Sequence, residues 1–328
     1  MIRRLYTLQG RGTDPYENLA VEEVLLSRAR EDSCILYLWQ NSHTVVIGRN
    51  QNPWTECRTT LLSQEGGRLA RRLSGGGAVY HDLGNLNFTF LMPKADFDIP
   101  RQLSVLLLAL ERLGVPAERS GRNDLLCRGR KFSGNAFYRA SDAAYHHGTL
   151  MVDVDLDRVS RYLSPSKAKL ASKGVASVRS RVINLKEACP TLTLSCLSSA
   201  LKDAFSAVYG QSAAELQLSD EELAAVSTLQ RRNADVQWLY GQQIPLTLSC
   251  EDRFSWGGVE LHLAVCRGRV EAVKLYSDAM DWTLSSKVET ALLGCPFQTG
   301  AMCTALSSAE LPEAARRDVI ELLKQQEI

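Results

Sequence analysis

What this sequence lacks narrows its class. None of its 328 residues belongs to an apolar run near the roughly 20 residues a membrane-crossing helix needs. The N-terminus, Met1 to Tyr6, carries Arg3 and Arg4 but no hydrophobic stretch of signal-peptide length. A cytoplasmic protein away from membranes is therefore expected. Nine cysteines are present, an odd number, and no two form a CxxC pair. Such scatter excludes a zinc ribbon or a secreted disulfide scaffold and points to free thiols. No charge of one sign dominates: 38 Lys and Arg face 37 Asp and Glu, for a formal charge of +1. A nucleic-acid partner calls for a basic excess or stripe, so none is expected. Low-complexity tracts and internal repeats are also missing, and a chain of this length without them reads as two folded domains.

What is present begins with a helix. Asp14-Pro15-Tyr16-Glu17 supplies an N-cap, a proline at the first helical position and a glutamate three residues after the cap. Leu19, Val21, Val24 and Leu25 then give one apolar face to about Arg30. Short strands are expected at 34–39, 44–47, 78–80, 86–91, 124–127 and 149–154. Helices are expected at 101–113, 192–209, 220–230 and 312–326, the first of them ending at Gly114 with Pro116 beyond. The segment 238–249 has no clear pattern, and two strands (257–263 and 270–276) follow it across Arg267-Gly268. Strands in short groups, without strict βαβ alternation, indicate an α+β fold. The boundary is placed near 245, giving domains 1–245 and 246–328.

The strongest chemical signal is Arg71-Arg72-Leu73-Ser74-Gly75-Gly76-Gly77-Ala78-Val79-Tyr80-His81-Asp82-Leu83-Gly84-Asn85. Three consecutive glycines let backbone N–H groups approach an anion, and two arginines add donors that suit phosphate or carboxylate. The glycine spacing matches neither a Walker A loop nor a dinucleotide fingerprint. A second segment follows Gly121-Arg122-Asn123-Asp124: Arg128-Gly129-Arg130-Lys131-Phe132-Ser133-Gly134-Asn135-Ala136 puts a lysine at the head of a strand, beside small residues. Four of the ten residues from Arg122 to Lys131 are cationic, but no aromatics interleave them as a nucleic-acid patch requires.

His146-His147-Gly148 is third. Neighbouring residues of a strand face opposite sides, so the two histidines do not chelate one metal; one lines a pocket while the other packs or meets solvent. His81 is as plausible a base as either. No protein-only metal site is expected. The fourth segment, 166–185, is dense in Lys, Ser and Gly, as a flap closing over a ligand would be.

In this order, these segments resemble the bacterial-type lipoate–protein ligase A family. Asn18 to Glu23, Thr44 to Trp54 and Phe254 to Leu261 extend the match. The resemblance implies a catalytic domain of the biotin/lipoyl-ligase type, related to class II aminoacyl-tRNA synthetases, and a small α+β accessory domain that shifts during the cycle. Arg128-Gly129-Arg130 only echoes the adenylate loop of biotin ligases. The implied reaction has two steps: ATP, with Mg²⁺, activates (R)-lipoate to lipoyl-AMP, and the acyl group passes to an acceptor lysine. Implied acceptors are apo lipoyl domains of 2-oxoacid dehydrogenase E2 subunits and the glycine-cleavage H protein, met transiently by a monomeric enzyme.

Carried over residue by residue, Arg72, Gly77, Ala78, Val79 and Tyr80, with Lys173, Gly174 and Val175 of the flap, meet the adenylate. Trp39, Arg71, Ser74, Gly75, Gly76, His81, His147 and Gly148 meet lipoate. Lys131 touches both and is the catalytic residue. Two alternatives stay open: a lipoyltransferase that takes preformed lipoyl-AMP, and an octanoyl transferase that works through Cys127.

Overall fold

The computed structural model describes residues 2–30, 32–120, 124–164, 181–241 and 244–326. Its largest sheet is built from β1 (Arg4–Gln9), β2 (Ser33–Trp39), β6 (Asn85–Pro93), β7 (Glu118–Ser120), β8 (Asp124–Cys127), β9 (Arg130–Arg139), β10 (Ala143–Met151) and β11 (Ala213–Glu215). The strand order is β11-β1-β2-β6-β10-β9-β8-β7. β1 runs parallel to β2 and β11, whereas every pairing from β2 to β7 is antiparallel.

β2 and β6 are buried along their whole length, because layers cover both faces. Period-two alternation then assigns each side chain to a layer. Leu36, Leu38, Phe88 and Phe90 pack toward helices Ile99–Arg112 and Leu194–Tyr209. Ile35, Tyr37, Trp39 and Leu91 pack on the opposite side, toward helix Pro15–Arg28. That helix starts as its sequence requires: the Asp14 carboxylate accepts from the N–H groups of Tyr16 (2.8 Å) and Glu17 (3.4 Å).

A second sheet lies on this side too. Here β3 (Thr44–Ile47) runs between β4 (Arg68–Arg71), parallel, and β5 (Val79–His81), antiparallel. The glycine segment joins β4 to β5. The third sheet, β12 (Leu248–Phe254), β13 (Gly257–Cys266) and β14 (Arg269–Ser277), is an antiparallel meander packed on the three C-terminal helices. Arg267 and Gly268, both at positive φ, make its second turn.

The secondary structure departs from expectation in physically readable places. β1 was not expected, because Arg3 and Arg4 mask a short strand whose partners come from distant segments. The strand placed at 149–154 is the end of β10, which begins at Ala143. The unpatterned stretch 238–249 ends in β12, whose exposed Glu251 and Asp252 hide the alternation. Helix 101–113 starts at Ile99, since Asp98 caps it through the N–H of Arg101 at 3.1 Å. Among the described residues no helix is long and apolar enough to cross a membrane.

Candidate active site

Arg72 organises the glycine segment. Its guanidinium is fully buried and donates to Ser74 Oγ (3.0 Å), Val46 O (3.2 Å), Gly75 O (2.8 Å) and Gly77 O (2.8 Å). These bonds fold the segment into a tight arch around the cation. Gly75 must be glycine: a Cβ there would stand 2.3 Å from Ala279 O and 2.7 Å from Met280 O. Gly76, at φ +89°, donates its N–H to Ala279 O at 3.1 Å. The arch therefore seats against the C-terminal domain, which is also tied to Asn50 through Ser277 N–H (2.9 Å) and Trp282 O (2.7 Å).

Under this arch, between the eight-stranded sheet and the β4-β3-β5 sheet, lies a cavity of about 300 Å³. Its walls include Trp39, Arg72, Gly76, Gly77, Ala78, Val79, His81, Lys131, His147 and Gly148. Four segments far apart in sequence thus meet at one place. Lys131 reaches the cavity through an irregularity. Strict alternation back from Ala136 and Gly134 would turn Phe132 toward it. The register shift between Leu125 and Leu126 adds one residue to β9, sends Phe132 into the helix-side core and turns Lys131 to the cavity. The Lys131 ammonium pairs with Asp124 at 2.7 Å, and its carbonyl accepts from the Ile183 N–H at 2.9 Å.

His147 sits in a buried chain of polar groups. Its Nδ1 lies 2.8 Å from Glu22 Oε1 and its Nε2 lies 2.8 Å from Ser74 Oγ. Thr89 also donates to Glu22 (2.7 Å), and Trp39 Nε1 donates to Thr89 (3.0 Å). Although Ser, His and Glu are in line, Ser74 is 0 % exposed and is off the cavity wall. It receives a bond from Arg72, so the chain braces the arch and provides no nucleophile. His146, on the other face of β10, lies between the side-chain carboxamides of Gln102 (2.9 Å from Nδ1) and Asn135 (2.8 Å from Nε2).

Several expected residues lie elsewhere. Arg71 does not line the cavity: its guanidinium is spent on the carbonyls of Gly48, Arg49, Gln51, Trp238 and Leu239. Tyr80 alternates with Val79 and His81 and so faces away, into a cluster with His43 and Tyr162. Gly75 and Ser74 act behind the wall. Lys173, Gly174 and Val175 lie outside the described residues. Cys127 is fully buried in the helix-side core, and burial raises its thiol pKa, so it offers no accessible nucleophile. Additional wall residues are Leu19, Val46, Asn87, Thr149, Asp278 and Met280. Thr149 follows from His147 by alternation. The last two, from the C-terminal domain, have no signature in sequence.

The charges follow from burial. It lowers the Arg71 and Arg72 pKa values to about 10 and leaves both cations at neutral pH. Burial, with Arg72 and His147 adding to it, lowers His81 to about 3; burial likewise lowers His146 to about 3. Both imidazoles are neutral in the folded protein. The unfolded chain, with histidine pKa values near 6.5, takes up protons that the fold refuses. Their contribution to stability is whole above about pH 6.5 and is lost as the pH falls toward 3, by up to about 1.4 kcal/mol per pH unit for each histidine. Urea denaturation at pH 7.5 and 5.0 is expected to show a loss of about 2–4 kcal/mol at the lower pH. Equal stability would contradict the neutral assignment. Among the described residues no group of three His, Cys, Asp or Glu side chains stands close enough to hold a metal ion.

A cavity with the Lys131 and Arg72 cations among apolar walls, under a glycine arch, has the make-up of an enzyme active site. Residues 14–206 match the family described as lipoyl protein ligase A/B catalytic domain, and residues 245–323 match the bacterial lipoate protein ligase C-terminus. The chain belongs to the lipoate–protein ligase family.

Three solved structures give the comparison in space. Plasmodium falciparum LipL1 in complex with lipoate is 25% identical, with a TM-score of 0.86 over 98% of this chain and 100% of that one. A lipoate–protein ligase A bound with ATP is 27% identical, with a TM-score of 0.64 over 74% of this chain and 99% of that one. One from Thermoplasma acidophilum, described as a bipartite lipoate protein ligase and its E2 lipoyl domain, is 27% identical; its TM-score is 0.65 over 76% of this chain and 100% of that one.

Proposed function

We propose that this chain, organised as domains 1–245 and 246–328, converts lipoate and ATP to lipoyl-AMP and passes the lipoyl group to the lysine of an acceptor domain. What carries the reading is the placement of Lys131 on the wall of a cavity under the glycine arch that Leu19, Trp39, Val46 and Val79 line with apolar surface. The lipoate carboxylate meets the Lys131 ammonium, with its tail toward Trp39. An oxygen of the carboxylate attacks the α-phosphorus, and pyrophosphate leaves. Arch N–H groups from Gly77 to Val79 face the phosphate, and Arg72 fixes their positions. Mg²⁺ carried in with the triphosphate would supply charge neutralisation, and Asp124, beside Lys131, and Asp278, on the wall, would be the carboxylates to hold it.

In the second step the acceptor ε-amine attacks the acyl carbon and AMP leaves. Charge develops first on phosphate oxygens and then on the carbonyl oxygen, and one ammonium stabilises both. An acceptor lysine has an ordinary pKa near 10.4 and must lose a proton first. The positive field around Lys131 and Arg72 disfavours its charged form. Lipoyl domains of 2-oxoacid dehydrogenase E2 subunits and the glycine-cleavage H protein are the proposed acceptors; the archaeal relative with its E2 lipoyl domain supports the first class. The enzyme is proposed to act as a cytoplasmic monomer.

Lipoate-dependent exchange of labelled pyrophosphate into ATP isolates the first step. Exchange that requires lipoate is the expected result. No exchange, together with acyl transfer from synthetic lipoyl-AMP, would replace the ligase by a transferase that does not activate.

A further inference from the structure

At the cavity end away from Lys131, two buried donors stand where a fatty acyl tail offers only hydrogen. Sheet register gives the geometry. Trp39 pairs with Asn87, and Asn87 pairs with Thr149. Thr149 Oγ1 accepts the Gly134 N–H at 3.3 Å, and the Lys131 ammonium lies 3.3 Å from where a Cβ on Gly134 would stand. Only β10 separates β6 from β9, so Asn87 lies two strand spacings, about 10 Å, from Gly134. An eight-carbon acyl chain held by its carboxylate at Lys131 reaches that far. His81 shares this end, with its ring 6.2 Å from that of Trp39.

Neighbouring amides fix the orientation of both donors. Asn85 Nδ2 donates to Asn87 Oδ1 at 2.8 Å, so Asn87 turns its Nδ2 elsewhere. Asn18 Nδ2 donates to Asn41 Oδ1 (3.0 Å), which leaves Asn41 Nδ2 to donate to His81 Nδ1 (3.2 Å). The His81 proton is therefore on Nε2. Asn87 is 1 % exposed and His81 3 %, both line the cavity, and neither Asn87 Nδ2 nor His81 Nε2 has a partner among the described residues. Buried donors left unmade are costly, and Leu19, Val46 and Val79 on the same walls do nothing for them.

We propose that Asn87 Nδ2 and His81 Nε2 donate to the ring sulfurs of the bound acyl tail, so that the site selects a cyclic disulfide over a plain eight-carbon acid. This rests on the ligase reading above and names the feature of the substrate that the site recognises. Divalent sulfur is a weak acceptor, yet this chain already pairs it with an amide: Gln102 Nε2 donates to Met92 Sδ at 3.1 Å. A pocket that differs only in apolar contact discriminates poorly, whereas one with buried donors penalises an analogue that lacks the acceptor.

The test compares lipoate, octanoate and 5-cyclopentylpentanoate, which keeps the ring but replaces both sulfurs with methylenes. The readout is acid-dependent pyrophosphate release by wild type and by Asn87→Leu. Wild type is expected to favour lipoate over the carbocycle by about tenfold or more in kcat/KM. Asn87→Leu should narrow the ratio to about threefold or less, losing on lipoate and gaining on the carbocycle, because the unmet donor is gone. Equal use of lipoate and carbocycle by wild type overturns the proposal, as does an unchanged ratio in the variant. The wild-type comparison decides alone if the variant does not fold. Failure of wild type to turn over any of the three acids would instead refute the ligase reading and this inference with it.

Discussion

Replacing Lys131 with alanine is expected to lower kcat/KM for lipoate activation by about 10³-fold and to slow transfer from preformed lipoyl-AMP by a similar factor. The double loss is the informative part. A residue that only bound ATP would spare the second step, and one that only bound the acceptor would spare the first. In the proposed reaction both reacting oxygens come to Lys131, which lines the cavity beside the arch. Lys131→Arg should rescue little, since a planar guanidinium cannot replace a compact ammonium seated against Gly134. Folding should be almost untouched, because the ion pair with Asp124 is part-exposed and such pairs contribute about 1 kcal/mol or less. Single-turnover kinetics of each step, with thermal melts alongside, check the expectation. Loss of only one step would remove Lys131 from its dual role.

Arg72→Met is expected to act oppositely, on the fold as well as on the chemistry. Methionine replaces much of the volume but none of the donors. It would leave Val46 O, Gly75 O and Gly77 O without the bonds that bend the segment into an arch. Removing a buried charged donor of this kind costs about 3–5 kcal/mol, which for a domain of this size lowers Tm by roughly 10 °C. Lipoate binding should weaken in the same variant, since Ser74 loses its donor and the His147–Glu22 brace loosens. Denaturant titration and calorimetric binding provide the measurements. A variant as stable as wild type, with intact binding, would show that the glycine segment holds its shape without the buried cation.

The parts of this site that were legible in the sequence are those whose residue types have little other use. Three adjacent glycines, a lysine among small residues and a histidine before a glycine are poor core formers, so Gly76, Lys131, His147 and Gly148 stood out. Where the linear reading strayed, it treated runs as units. Gly77 to Tyr80 was taken as one binding stretch, but alternation in β5 turns Tyr80 to the other face. Arg71 was expected at lipoate and Arg72 at the adenylate, yet only Arg72 lies at the cavity while Arg71 braces five backbone carbonyls. Asn87 was invisible for a different reason. In β6 it reads as one polar residue between apolar ones, and its meaning comes from Trp39, Thr149 and His81, each on a different strand. Asp278 and Met280 reach the cavity only because a second domain docks on the arch. In the fold, helix Pro15–Arg28 was plain because its cap, proline and apolar face are all local. β1 was not, since parallel pairing with β2 and β11 joins segments far apart in the chain.

Whether one site both activates lipoate and transfers it is decided by the mass of an apo lipoyl domain after incubation with this protein, lipoate and Mg-ATP. A single lipoyl mass increment on the acceptor lysine is expected, absent when ATP is withheld and absent with Lys131→Ala. An unmodified acceptor in the complete mixture, under conditions where synthetic lipoyl-AMP does modify it, would show that this site transfers the lipoyl group without activating lipoate.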